Sequence, residues 1–148
     1  MPKVLILLGS KSDQTYADEC VGQLTVFGIE AKVEISSAHR KPAQTAKLAT
    51  SAESDGYEVI IAMAGLSAAL PGVAAAHSSL PVIGVPLPAA LGGIDSLLAT
   101  VQMPPGIPVA AVTIGTPGAK NAAVLAARIL ALKYPKVKEA LGRHRESL

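Results

Sequence analysis

Hydrophobic positions along the chain form five short runs, separated by longer segments with helical spacing. The run from Lys3 to Leu8 is apolar almost throughout, which is typical of a parallel strand covered on both faces. The run from Glu30 to Ile35 alternates between polar and apolar residues. Three further strands are predicted at Tyr57 to Met63, Val82 to Val85 and Val109 to Ile114.

Helical patterns follow each of these runs, and several begin or end at Gly or Pro. The predicted helices are Thr15 to Phe27, Pro42 to Ser54, a short Ala-rich helix after Gly72, Ile94 to Val101, Asn121 to Leu132 and Tyr134 to Leu148. Strands that alternate with helices of this length predict an α/β fold. We expect one domain over residues 1–148, with a three-layer, doubly wound parallel sheet.

The composition is apolar for so small a protein. Half of the 148 residues are hydrophobic, but only 3% are aromatic and 16% are charged. The core must therefore consist of Ala, Val, Leu and Ile, and the fold should leave apolar surface that it cannot cover by itself. We expect a homo-oligomer, in which the final helix (about 134–148) packs against other subunits.

Charge and cysteine content exclude several classes of partner. A net charge of +2 with few aromatics is too slight for a nucleic-acid or membrane-surface protein. The apolar segment from Val59 to Ala76 is interrupted by Gly65 and Pro71, so we do not interpret it as a membrane span. Cys20 is the only cysteine, which fits a reducing cytoplasm, and its place in a helical pattern predicts a buried residue.

The stretch from Ser36 to Pro42 is the strongest candidate for chemistry. It follows a predicted strand and precedes a helix, so it should lie at the strand's carboxyl end, where open α/β sheets bind ligands. His39 can accept and return a proton, and Arg40 beside it can bind a phosphate through two hydrogen bonds. The alternative is a solvated loop in which the histidine has no function.

A second candidate loop follows the first strand. Ser10 and Ser12 supply hydroxyls beside a helix N-terminus, an arrangement that suits an anion. Asp13 can either cap that helix or bind a pair of sugar hydroxyls. The loop matches neither the P-loop nor the dinucleotide-binding pattern.

The loop after the third predicted strand, Ala64 to Gly72, contains almost no polar side chains. With Ala64, Gly65 and Leu70 it offers backbone and apolar surface, which suits a flat heteroaromatic ring or a small neutral molecule kept from water. Its small residues can equally serve close packing of a helix on a strand. Both roles are compatible.

The remaining polar residues are weaker candidates. His77 and His144 lie on predicted helices, and Lys11, Lys41 and Asp55 fit a solvated surface. The sequence has no metal-ligand spacing. A flavin carrier of the same fold would need aromatic side chains in these loops, but Tyr16, Phe27, Tyr57 and Tyr134 all fall within or beside helices or strands.

Taken together, these motifs resemble the N5-carboxyaminoimidazole ribonucleotide mutase / 5-aminoimidazole ribonucleotide carboxylase family of purine biosynthesis. The resemblance covers nearly the whole chain. It rests on the segments Gly9 to Asp13, Ser37 to Pro42, Ala64 to Gly72, Pro81 to Pro86, Gly93 to Ala110 and Gly115 to Leu130. It implies a flavodoxin-like octamer that places a carboxylate on C4 of an aminoimidazole ribonucleotide without ATP, metal or organic cofactor.

The resemblance also implies roles for individual residues. His39 matches the catalytic histidine, which would move the proton from C4 to the nitrogen that loses CO2. The apolar third loop would hold CO2 beside the ring. The positions that match ribonucleotide-binding residues are Ser10, Ser12, Asp13, Ser37 and Arg40.

One departure leaves the carboxyl donor open. Bacterial mutases usually have a second histidine where this chain has Ala69. Direct carboxylases, which use free CO2, share Ser67 but usually have other residues at Leu66, Ala68 and Arg40. The overall resemblance favours the mutase, with direct carboxylation as the alternative. A non-catalytic nucleotide-binding or flavin-binding protein of this fold is the alternative of another class.

Overall fold

The computed structural model describes residues 1–148 as a five-stranded parallel sheet with six α-helices. The strands are β1 (Lys3–Leu8), β2 (Glu30–Ile35), β3 (Val59–Ala64), β4 (Val82–Pro86) and β5 (Ala110–Ala111). The helices are α1 (Gln14–Val26), α2 (Pro42–Ser51), α3 (Leu70–His77), α4 (Ile94–Val101), α5 (Thr116–Leu130) and α6 (Pro135–Glu146). A single 3-10 turn, Lys11–Asp13, joins β1 to α1. The predicted α/β class is confirmed.

The strand order is β2-β1-β3-β4-β5, with every neighbouring pair parallel. This is the flavodoxin-like order, in which the direction of progression reverses between β1 and β3. All five strands therefore end at the same edge of the sheet. The loops that follow β1 and β3 meet there at the reversal point, where ligands bind in such folds.

Alternation along β1, an interior strand of the sheet, divides the core into two layers. Val4, Ile6 and Leu8 face one layer with residues of α1, α5 and α6, and Leu5 and Leu7 face the other with residues of α2 and α3. Both faces of β1 are thus covered, which is why its sequence is a continuous apolar run. This is the predicted three-layer arrangement. Within the first layer Cys20 is fully buried, and burial raises the pKa of its thiol to about 12.

The predicted starts of two helices were wrong for the same reason. α3 begins at Leu70 and α5 at Thr116, so both take in Pro and Gly residues that we had assigned to loops. Proline in the first turn of a helix loses no hydrogen bond, because the N–H groups there have no partner within the helix. The Pro and Gly residues that we interpreted as turns therefore lie in the first turns of α3 and α5.

The fifth strand is much shorter than the predicted Val109 to Ile114. Only Ala110 and Ala111 pair with β4, opposite Ile83 and Gly84. β5 is an edge strand with a neighbour on one side only, and the chain turns away at Gly115, whose φ is +78°.

Helix α5 has one buried face and one exposed face. Its alanines, among them Ala119, Ala123 and Ala127, are buried, whereas Lys120 and Arg128 are exposed. None of the six helices combines the length and apolar character needed to cross a bilayer.

Candidate active site

The loops after β1, β2, β3 and β4 enclose a cavity of about 600 Å³ at the carboxyl edge of the sheet. We predicted the first three loops from the sequence. The fourth contributes Leu87, Pro88 and Ala89 and was missed, although it follows the next parallel strand along the same edge. The predicted site residues that line the cavity are Ser10, Ser12, Asp13, Ser37, His39, Arg40, Ala64, Gly65 and Leu70.

The first loop holds its two hydroxyls together. Ser10 is extended and caps the 3-10 turn, because its Oγ accepts a hydrogen bond from the Ser12 N–H at 3.4 Å. The hydroxyl oxygens of Ser10 and Ser12 lie 3.0 Å apart. The pair thus forms a compact polar patch on one wall of the cavity.

Asp13 does not cap helix α1 with its side chain, although it occupies the N-cap position. Of the two roles considered from the sequence, helix capping by the side chain is therefore absent, and Asp13 lines the cavity. Partial burial raises the pKa of Asp13, and a hydrogen bond with the backbone of Ser10 partly opposes that shift. A partly desolvated carboxylate gains from accepting hydrogen bonds, and a sugar diol can donate them.

The second loop is organised by the hydroxyl of Ser37. Its Oγ accepts hydrogen bonds from the backbone N–H of Arg40 at 3.1 Å and from the Arg40 Nε at 3.4 Å. The carbonyl of Ser37 also accepts the N–H of Lys41 at 2.8 Å. Ser37 therefore holds both the backbone and the side chain of Arg40. His39 and Arg40 are both exposed at the cavity.

The third loop forms the apolar wall. Gly65 packs closely against the loop that follows β4. A Cβ atom on residue 65 would lie only 3.3 Å from the carbonyl oxygen of Leu87. Ala64 and Ala68 are buried. Leu70 is only 1% exposed, so it backs the cavity from the core as the first residue of α3. The small residues serve close packing and cavity lining together, as expected.

Leu66 has the one unusual backbone conformation in this loop. Its φ is +54°, and it is the only residue other than glycine with a positive φ. Holding a leucine in the left-handed region costs on the order of 1–3 kcal/mol. The sequence gives no signal of this conformation, since leucine is not a residue typical of it.

The residues that we judged weaker candidates do not line the cavity. Lys11, Lys41 and Asp55 are exposed. His77 lies at the end of α3, and the ring of His144 packs edge-on against Phe27 with centroids 5.2 Å apart. No aromatic side chain lines the cavity, so a flavin ring would have no stacking partner there.

Comparison with known proteins identifies relatives over the full length of the fold. The family model described as AIR carboxylase matches residues 3–148. An N5-carboxyaminoimidazole ribonucleotide mutase of Pyrococcus abyssi is 52% identical over 149 aligned positions, which cover 100% of this chain and 84% of that protein. The mutase of Pseudomonas aeruginosa is 48% identical over 141 positions, covering 95% of this chain and 86% of the relative.

Solved structures with the same fold include a member of this family. The crystal structure of Treponema denticola PurE superposes with a TM-score of 0.90 at 34% identity, covering 99% of this chain and 91% of that one. A 3-dehydroquinate dehydratase-like protein of Bifidobacterium longum, 17% identical with a TM-score of 0.59, shares the fold alone.

Proposed function

Because this chain belongs to the AIR carboxylase family, we propose that it is an N5-carboxyaminoimidazole ribonucleotide mutase of purine biosynthesis. The reaction is an isomerisation: the carboxyl group leaves the exocyclic nitrogen and is attached to C4 of the same imidazole ring. Full-length relatives at about half identity are named for this activity. The observation that supports it best in the structure is one cavity that combines His39, Arg40 and Asp13 with an apolar wall.

The polar loops suit the ribonucleotide part of the substrate. We assign the phosphate to Arg40 and to the hydroxyls of Ser10 and Ser12, because a guanidinium and clustered hydroxyls are typical phosphate ligands. Ser37 holds Arg40 in place for this contact. The Asp13 carboxylate, which makes no helix cap, would accept hydrogen bonds from the ribose hydroxyls.

The apolar loop suits the reacting end of the substrate. When the N–C bond of the carbamate breaks, CO2 forms beside the ring, and its attack by C4 would be bimolecular if it escaped. A wall of Ala64, Gly65 and the residues that follow excludes water and keeps the two reactants together. No cofactor is needed for these steps in our proposal.

His39 would move the one proton that the isomerisation requires. Attack by C4 leaves that carbon with both a hydrogen and a new carboxylate, and loss of the proton restores the aromatic ring. The nitrogen that lost CO2 needs one proton. An imidazole can take the first and deliver the second, so protons balance without exchange with solvent.

Direct carboxylation of 5-aminoimidazole ribonucleotide by CO2 is the second candidate, and Ala69 is the residue that raises it. The experiment is to supply each ribonucleotide separately, with and without bicarbonate, and to follow formation of the C4 carboxylate. The mutase converts the N5 carbamate without added bicarbonate. A carboxylase would instead convert 5-aminoimidazole ribonucleotide, and only when bicarbonate is added. Binding without any turnover would indicate a non-catalytic protein.

We further propose that the enzyme is a homo-oligomer, an octamer by resemblance to its family, and that it acts in the cytoplasm. Helix α4 supports the first point, because Ile94, Leu98 and Val101 form an exposed apolar stripe along it. Such a stripe on a small protein is typical of a subunit interface. Helix α6 would contribute its exposed face to the same assembly. The buried, unpaired Cys20 fits a reducing compartment.

A further inference from the structure

The conformation of Leu66 is not explained by packing. Its side chain is 60% exposed, so burial in the core does not compensate for the energetic cost of its positive φ. Glycine adopts this conformation without strain, and asparagine adopts it more readily than leucine. A strained, exposed leucine at the mouth of a cavity indicates that its side chain has a use that the isolated fold does not show.

Leu66 differs in this respect from the other leucines of the cavity. Leu70 and Leu87 are each 1% exposed and belong to the core. Leu66 is therefore the one large aliphatic side chain at the cavity whose surface remains free for a ligand. In the chain it lies between Gly65 and the start of α3 at Leu70.

We propose that Leu66 is the residue that retains CO2: its side chain covers the imidazole ring and the CO2 beside it when substrate is bound. This inference rests on the proposed mutase function and assigns to one residue the exclusion of water during carboxyl transfer. Contact with the ring would bury the exposed isobutyl group and offset the strain in the backbone. Escape of CO2 into solvent would then depend on the size and polarity of this side chain.

Four variants distinguish the effect of the Leu66 side chain over the substrate from the effect of the backbone conformation. Leu66→Gly removes both the side chain and the strain, and Leu66→Asn keeps the size in a residue that tolerates positive φ but is polar. Leu66→Met keeps an apolar cover. Leu132→Asn makes the same change at a leucine that is 91% exposed and outside the cavity.

The readout is the fate of the carboxyl carbon. The N5 carbamate is supplied with ¹³C in its carboxyl group, with excess unlabelled bicarbonate, and the fraction of product that has lost ¹³C is measured. We expect the parent, Leu66→Met and Leu132→Asn to retain the label. Leu66→Gly and Leu66→Asn should lose it to a several-fold greater extent, with a roughly tenfold lower kcat/KM and a melting temperature no lower than the parent's.

Two results would overturn the inference while leaving the proposed function intact. One is unchanged label retention and kcat/KM in Leu66→Gly. The other is a change of sedimentation coefficient in both Leu66→Gly and Leu66→Asn, which would place the side chain against another subunit instead of the substrate. If the parent itself fails to convert the N5 carbamate, the proposed function fails first, and the inference fails with it.

Discussion

The hydroxyl of Ser36 lies 2.7 Å from the hydroxyl of Thr45, and both are buried at the base of the loop that contains His39 and Arg40. Thr45 also donates its only hydroxyl hydrogen to the carbonyl of Lys41 at 3.0 Å. Ser36 must therefore be the donor to Thr45. This chain of two hydrogen bonds links the end of β2 to the first turn of α2 and so fixes both ends of the loop.

Replacement of Thr45 by valine should loosen this loop. The Ser36 hydroxyl would remain buried without its partner, which costs about 1–3 kcal/mol of the free energy of unfolding. We also expect kcat to fall, because small displacements of a catalytic group reduce rates strongly. Chemical denaturation and steady-state kinetics measure the two effects. Thr50→Val, an exposed position on the same helix, is the control and should change neither.

His39→Asn should abolish proton transfer while leaving the polar contacts to the ribonucleotide. We expect kcat to fall by at least about 100-fold, the usual contribution of a general acid–base group, with the dissociation constant of substrate nearly unchanged. His77→Asn, on α3 and outside this cavity, should retain parental rates. Near-normal kcat in His39→Asn would rule out the proton-shuttle role.

Arg40→Ala should weaken binding of the phosphorylated substrate selectively. Loss of charge-assisted hydrogen bonds corresponds to about 1.5–3 kcal/mol, or roughly 10-fold to 100-fold in the dissociation constant. The dephosphorylated nucleoside should bind parent and variant alike in a calorimetric titration. An equal loss for both ligands would refute the phosphate assignment. Lys41→Ala removes the neighbouring exposed cation and should have little effect.

The sequence predicts the strands better than it predicts the ends of the helices. β1 and β2 were located to the residue, because a doubly covered strand and a half-exposed strand each leave a distinct hydrophobic pattern. α3 and α5 were predicted to start late, because Pro71 and Pro117 look the same in a turn and in a first helical turn. β5 was overestimated, since an apolar run does not reveal how many of its residues find a partner strand.

For the site, residue types with obvious chemistry could be found from the sequence, but the contacts that position them could not. His39, Arg40 and Asp13 are recognisable by their functional groups and by their place after predicted strands. The partnership of Ser36 with Thr45 joins residues nine positions apart and depends on how α2 packs on the sheet. The positive φ of Leu66 is a property of the folded loop alone.

The apolar stripe on α4 provides a test of oligomerisation. Leu98 is 52% exposed, so Leu98→Glu should leave the subunit folded while it places a charge in the proposed interface. We expect a smaller particle mass in sedimentation velocity at an unchanged helical circular-dichroism signal. Leu132→Glu introduces the same charge at another exposed leucine and should sediment like the parent. Unchanged mass in Leu98→Glu would place the interface elsewhere.

Glu58 gives the fold a predictable dependence on acid. Its carboxylate accepts hydrogen bonds of 2.7 Å from both Lys133 and the Tyr134 hydroxyl, which join the start of β3 to the turn between α5 and α6. Desolvation acts to raise the pKa of Glu58, but the two hydrogen bonds together with the positive charges of Lys133 and the N-terminus outweigh it, and the pKa is lowered. The folded state therefore favours the charged carboxylate more than the unfolded chain does.

A lowered pKa fixes the direction of the effect. The stabilisation is complete above the pKa of glutamate in the unfolded chain, about 4.3, and is lost as the pH falls through the lower pKa of the folded state. We expect Glu58→Gln to lower the melting temperature at pH 7 but to have a progressively smaller effect at acidic pH, as the pH falls through the lowered pKa of Glu58 and the parent carboxyl becomes protonated as well. Glu139→Gln, exposed on α6 and in none of the ion pairs, is the matched control and should have little effect at neutral or acidic pH. An equal loss at neutral and acidic pH in Glu58→Gln would show that the charge of the carboxylate does not stabilise this contact.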